Sequence, residues 1–266
     1  MENSLQPRIL HVFDNACNLI NEHNEVLSVV TRQIGNGPFN LVIESEISFS
    51  EHLDADSAIS ILGDQLLLEE LMIEARNAEV WNPRPDWEML HARRNKIRDS
   101  LLALKIAPAA TRLHIPGYQS LVSALCTAIV DVDISSAVGA AEELAGLGAG
   151  LTPSGDDVML GAIYAAWIIH PLHLAKSLAE EIANAAGPRT TSLSAAWLRS
   201  AGGGETGILW HQVFDVLSAD LASDPASMSE VQKAANRILN VGETSGADAL
   251  SGFVRTFVSY SEKASV

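Results

Sequence analysis

Residues 81–87 read Trp81-Asn82-Pro83-Arg84-Pro85-Asp86-Trp87, and the chain changes character on either side of them. Each proline blocks helix continuation and restricts the residue before it, so the stretch is a stiff connector. Asp86 is placed to cap a helix running to about Leu104. On the N-terminal side, short β-branched and apolar runs at 9–13, 26–31, 39–43 and 58–62 read as strands. Turn formers at 21–24, 35–38 and 63–65 separate them. Residues 66–81 have the Leu and Glu content of a helix but follow a turn, and are read as strand. Short, regularly spaced strands predict a small β-barrel or sandwich-like domain. On the C-terminal side the sequence is rich in Ala and Leu, with apolar residues three and four apart. Helices are predicted over 117–131, 135–146, 156–169, 172–186, 190–201, 206–221, 227–240 and 247–261. The expected class is α+β: a β-rich N-terminal domain, residues 1–83, then an all-helical domain, residues 84–266.

Charge narrows the function. Among 266 residues, 17 Lys+Arg stand against 33 Asp+Glu, a formal net charge of −16. So acidic a surface repels a phosphate backbone and anionic lipid, so neither nucleic acid nor a membrane is an expected partner. With 47% hydrophobic and 19% charged residues the chain has enough apolar material for a core. The apolar run at 158–174 is broken by Gly161, His170, Pro171 and His173, and reads as a buried helix. The first ten residues show no secretory pattern, and Cys17 and Cys126 fit neither a zinc spacing nor a disulfide framework. The expected compartment is the cytoplasm.

The chemistry concentrates in residues 146–157, Gly-Leu-Gly-Ala-Gly-Leu-Thr-Pro-Ser-Gly-Asp-Asp, just before an apolar helix. Alternating glycines are costly to order and suggest close backbone approach or unusual φ. Hydroxyls and free N–H groups at a helix start suit an anion. A Walker loop is rejected because Asp156 stands where Lys is required, and a Rossmann loop because no strand precedes it. The plainest alternative is capping, by Thr152 with Pro153 at the first helical position or by a Ser154/Asp157 box. A second occurrence argues for more. Ser154-Gly-Asp-Asp157 with Gly161 and Ser245-Gly-Ala-Asp248 with Gly252 are both S-G-x-D-x-x-x-G, each opening an apolar helix. Asp and the second Gly share a helix face in each, so the two helix starts are expected to meet at one small cavity. A third segment, Gly187-Pro-Arg189-Thr190-Thr191-Ser-Leu-Ser194 with Arg199 beyond it, adds hydroxyls and two arginines suited to carboxylate or phosphate. There the alternatives are a solvated Arg189 and a capping Thr190. The histidines form no metal pair, and no Gly-x-Ser-x-Gly elbow is present.

Gly146–Asp157, Thr190–Ser194 and Gly242–Gly252, with Gly35–Phe39 and Trp81–Trp87, together resemble a bacterial domain-of-unknown-function family that includes AllH, an oxamate carbamoyltransferase subunit. The resemblance spans most of the chain. It implies reversible carbamoyl transfer between oxamate plus carbamoyl phosphate and oxalurate plus phosphate, in purine and allantoin nitrogen catabolism. It also implies a heteromeric assembly with an FdrA-like subunit and a second subunit of unknown function. The chain alone would then transfer little.

Carbamoyl transfer needs a site that holds phosphate and carboxylate and stabilises an oxyanion, which N–H groups, hydroxyls and Arg supply without a cofactor. The expected binding residues are Gly148, Gly150, Thr152, Ser154, Gly155, Thr190, Thr191, Ser194, Thr244, Ser245 and Gly246, with Arg189 or Arg199 neutralising charge. Asp157 or Asp248 would orient the attacking amide or accept its proton. Because a carboxylate repels phosphate, a Mg²⁺ ion at Asp156 and Asp157 is an alternative. The competing classes are a noncatalytic anion-binding or assembly subunit and an independent enzyme on another small carboxylate.

Overall fold

The computed structural model describes residues 7–103, 115–219 and 225–264. The chain divides into two compact units, Met1–Pro83 and Arg84–Val266.

The N-terminal unit holds two separate sheets and is sandwich-like, not a closed barrel. The first has the order β1 (Arg8–Val12), β2 (Ala16–Ile20), β3 (Val26–Thr31), β4 (Asn40–Ile43), antiparallel except for the parallel β3–β4 pair. The second is an antiparallel meander of β5 (Ile59–Leu62), β6 (Gln65–Leu68) and β7 (Leu71–Glu74). Strands β2 and β3 are buried on both faces over most of their length, whereas β6 alternates as a one-sided pleat does. Cys17, Leu19 and Val29 of the first sheet join Leu66 and Leu68 of the second, with Phe49 and Leu53, in one buried cluster. Two expectations change here. Strand β2 was not foreseen, because its Asn18 breaks the apolar pattern; that side chain is buried and accepts a hydrogen bond from Ser28 Oγ at 2.6 Å. The single strand expected over 66–81 is instead β6 and β7, reversed at Glu69-Glu70 with Glu69 at φ 51°, a turn without a Gly or Asn to announce it.

The helical unit runs α1 (Trp87–Ala92), α2 (Arg94–Ala103), α3 (Tyr118–Asp131), α4 (Ile134–Leu144), α5 (Ser154–Ile169), α6 (Leu172–Ala186), α7 (Ser192–Gly202), α8 (Ile208–Ser218), α9 (Pro225–Leu239) and α10 (Ser245–Lys263). Asp86 caps α1 by accepting from Met89 N–H, but the helix expected to continue to 104 is broken at Arg93. Residue 104 and residues 220–221 of the expected helices lie outside the described residues. Helix α5 is apolar all round, and of its residues only Leu160 is not buried, which makes it the axis of the unit. Around it, Trp87 and Trp167 stack, with Tyr164, Trp210, Phe214 and Phe253 in further ring contacts. The indole N–H groups of Trp87 and Trp167 donate to the carbonyls of Gly204 and Ala201, both at 2.8 Å. Among the described residues no helix is long and apolar enough to cross a membrane.

Candidate functional site

Helices α5 and α10 pack on each other through their two repeated motifs. A Cβ built on Gly161 would lie 1.7 Å from the Ala249 carbonyl oxygen, and one on Gly252 would lie 2.0 Å from that of Val158. Each late motif glycine thus sits on the carbonyl four residues after the motif serine of the other helix. The first motif glycines match as well: a Cβ on Gly155 would lie 2.0 Å from Leu144 O, and one on Gly246 1.7 Å from Ile238 O, each at the end of the preceding helix. The unit therefore contains two equivalent helical hairpins, α4–α5 and α9–α10, crossing near their motif ends.

The polar groups follow the same reciprocity. Ser245 hydrogen-bonds Asp157 across the crossing, and Ser154 hydrogen-bonds Asp248. Thr152 Oγ1 and Ser245 Oγ are 2.6 Å apart, and Thr152 also bonds Asp157, while Thr244 bonds Asp248. The capping alternative fails for both helices: Pro153 is the N-cap of α5 and Thr244 that of α10, and neither makes a side-chain cap bond. The hydroxyls are spent between the helices instead. Tyr118 of α3 closes the cluster from another side, its phenol donating to Ser154 O at 3.2 Å.

Asp156 has a different task. It accepts from Gly146 N–H at 3.0 Å and from the Thr190 hydroxyl, and it hydrogen-bonds Ser194. Thr191 donates to Leu151 O at 2.5 Å and caps α7 at Ser194 N–H, the place expected of Thr190. The Thr190–Ser194 segment thereby fastens the glycine loop, whose Gly148, Ala149 and Gly150 form an exposed tip. Glycine is required at 148, where φ is 128° and a Cβ would lie 2.6 Å from Ser154 N. Arg189 does not reach the aspartates: its guanidinium is exposed, pairs with Glu142 at 2.9 Å and donates to Ala185 O. Arg199 is exposed on α7. Asp156 and Asp157 serve different neighbours, so a cation bridging that pair would displace the bonds from Gly146 and Thr190. Among the described residues no group of three or more His, Cys, Asp or Glu is placed to hold a metal ion.

Burial dominates the electrostatics. Asp157 is 6% exposed and Asp248 2%. Desolvation holds the Asp157 carboxyl well above the usual carboxylate range, with Asp248 and Asp156 adding like-charge repulsion against the Ser245 and Thr152 hydrogen bonds. Asp248 and Asp156 are raised by burial too, and Tyr118 is raised by burial and then by Asp248. The two positive helix starts offset part of that cost. Asp157 Oδ2 and Asp248 Oδ2 are nevertheless buried with no hydrogen-bond partner. Tyr118, Ser251 and Arg255 were not foreseen. The available signal was polar residues three and seven positions after Asp248 on a largely apolar helix.

A family model for oxamate carbamoyltransferase subunit AllH matches residues 144–257, and a model for the AllH family N-terminal domain matches residues 1–80. No curated protein and no solved structure gives a significant match.

Proposed function

Because this chain belongs to the AllH family, we propose that it supplies the amide-binding and proton-accepting half of an oxamate-type carbamoyltransferase. The observation that carries this reading is the pair of buried carboxylate oxygens, Asp157 Oδ2 and Asp248 Oδ2, that lack a donor where α5 and α10 meet. A buried acceptor left unpaired costs about 1–3 kcal/mol, and more when it is charged. An –NH2 group provides the missing donors, whereas a bare anion would be repelled.

In this reading the amide –NH2 of oxamate lies on the two aspartates. Its nitrogen attacks the carbamoyl carbon of carbamoyl phosphate, forming the new C–N bond as the bond from carbon to the phosphate oxygen breaks. One amide proton passes to Asp157 or Asp248, and phosphate leaves. Burial raises the basicity of both carboxyls, which suits proton acceptance. The exposed Gly148–Gly150 tip takes the phosphate side, and Asp156 with Thr190 and Ser194 holds that loop in place. An FdrA-like subunit and a second partner complete the assembly, and purine or allantoin nitrogen catabolism is the pathway the resemblance implies.

Calorimetric titration with oxamate and with pyruvate tests the reading, because pyruvate keeps the carboxylate and shape but replaces –NH2 by methyl. Oxamate is expected to bind at least about tenfold more tightly, since a site built on hydrogen bonds rejects the analogue that lacks them. Equal affinity for the two would refute it.

A further inference from the structure

We propose that Arg255 is the anion-binding residue of this site, receiving with Ser251 the carboxylate of an amide acid whose –NH2 lies on Asp157 and Asp248. The inference rests on the amide-binding reading above and adds the group that selects the charged end of the ligand. Asp248, Ser251 and Arg255 are three and seven positions apart and therefore share one face of α10. Each carries a buried side-chain atom with no hydrogen-bond partner: Asp248 Oδ2, Ser251 Oγ and Arg255 Nε. They account for three of the six such atoms among the described residues. Ser251 is 1% exposed and has no bond even to its own helix. The three thus form an acceptor, a hydroxyl and a donor in line, all unsatisfied.

The reach is adequate. Seven residues of helix place the Asp248 and Arg255 backbones about 10 Å apart. Helical side chains lean toward the N-terminus, which for Arg255 is the side of Ser251 and Asp248. Arg255 and the three aspartates act on Tyr118 with opposite sign, so both ends of the stripe lie within electrostatic range of the same phenol. A guanidinium N–H that is buried without an acceptor is matched by a carboxylate, which accepts charge-assisted hydrogen bonds. Arg189, by contrast, is already paired with Glu142.

The test compares oxamate with oxamide, its uncharged diamide, by calorimetric titration of the full chain with its partner subunits present. Arg255→Met is expected to weaken oxamate binding at least about tenfold while leaving oxamide binding unchanged, and Arg255→Lys to recover part of the loss. If far-ultraviolet circular dichroism shows that Arg255→Met does not fold, Arg255→Lys and Ser251→Ala carry the same comparison. Wild-type oxamate affinity in Arg255→Met, or an equal loss for both ligands, would overturn the assignment. Failure of the wild-type protein to bind either ligand would overturn the amide-binding reading itself, and this inference with it.

Discussion

Replacing Gly161 by Ala tests whether the α5–α10 crossing is as close as the geometry requires. In an unconstrained helix the change is favourable by about 1 kcal/mol. Here the new methyl would lie 1.7 Å from the Ala249 carbonyl oxygen, where ordinary contact begins near 3.4 Å. The obstacle is backbone, so it cannot rotate away, and the helices must part by roughly 1.5 Å across a core that tolerates little overpacking. The expected net effect is destabilisation by about 2 kcal/mol or more, a fall in Tm of roughly 4–8 °C for a unit of this size. Gly252→Ala should behave alike. The double variant should cost at least about 0.5 kcal/mol less than the sum, because the first methyl has already opened the gap the second needs. Gly139→Ala on α4 is the control: it is exposed, nothing lies within 4 Å of its Cβ, and it should stabilise. Urea titration followed by the helical circular dichroism signal reads all four midpoints. Midpoints for Gly161→Ala and Gly252→Ala that rise as in Gly139→Ala would show that the two helices do not meet at these glycines.

Asp157→Asn should stabilise the chain at pH 8 while abolishing oxamate binding. The folded carboxyl holds its proton to higher pH than the unfolded one, whose ordinary value is 3.8, so the native state binds more protons. The Asp157 contribution to wild-type stability therefore falls as pH rises above about 4, until the folded carboxyl has also ionised, so the variant's stability relative to wild type in thermal unfolding should increase with pH. A relative stability that decreases with rising pH would reject the burial argument. Asp156→Ala removes the acceptor shared by Gly146 N–H, Thr190 and Ser194; a loss of roughly 2–4 kcal/mol and faster proteolysis within 146–152 are expected. Unchanged proteolysis would show that the loop is held by other means. Trp87→Phe keeps the ring contact with Trp167 but leaves the Gly204 carbonyl unpaired, and should cost about 1–2 kcal/mol in chemical denaturation.

The helical half was legible because its signals are local. Asp86 caps where its position before Trp87 suggested, and the prolines and glycines between the apolar runs mark most helix ends to within a few residues. The β half was less legible, since sheets are made by partners distant in sequence. Asn18 interrupts the apolar pattern of its strand and makes sense only with Ser28 opposite it, and Glu69 carries no mark of the reversal it makes. The repeated S-G-x-D motif was visible as a pattern, and its glycines correctly announced a close approach. Its partnering was not visible: neither sequence shows that each serine serves the aspartate of the other helix. Arg189, expected with Arg199 as an alternative to neutralise charge, stands beside the hydroxyl run in sequence, and the 3-10 turn at Gly187–Arg189 carries its guanidinium to Glu142.

Catalysis by the aspartate pair is read by the rate of carbamoyl transfer from carbamoyl phosphate to oxamate, measured on the chain reconstituted with the partner subunits proposed above. Wild type is compared with Asp157→Asn and Asp248→Asn. Transfer is expected from the wild-type assembly, little from the chain alone, and a loss of roughly a hundredfold or more in both variants with the fold intact. Wild-type rates in both variants would contradict catalysis by the pair.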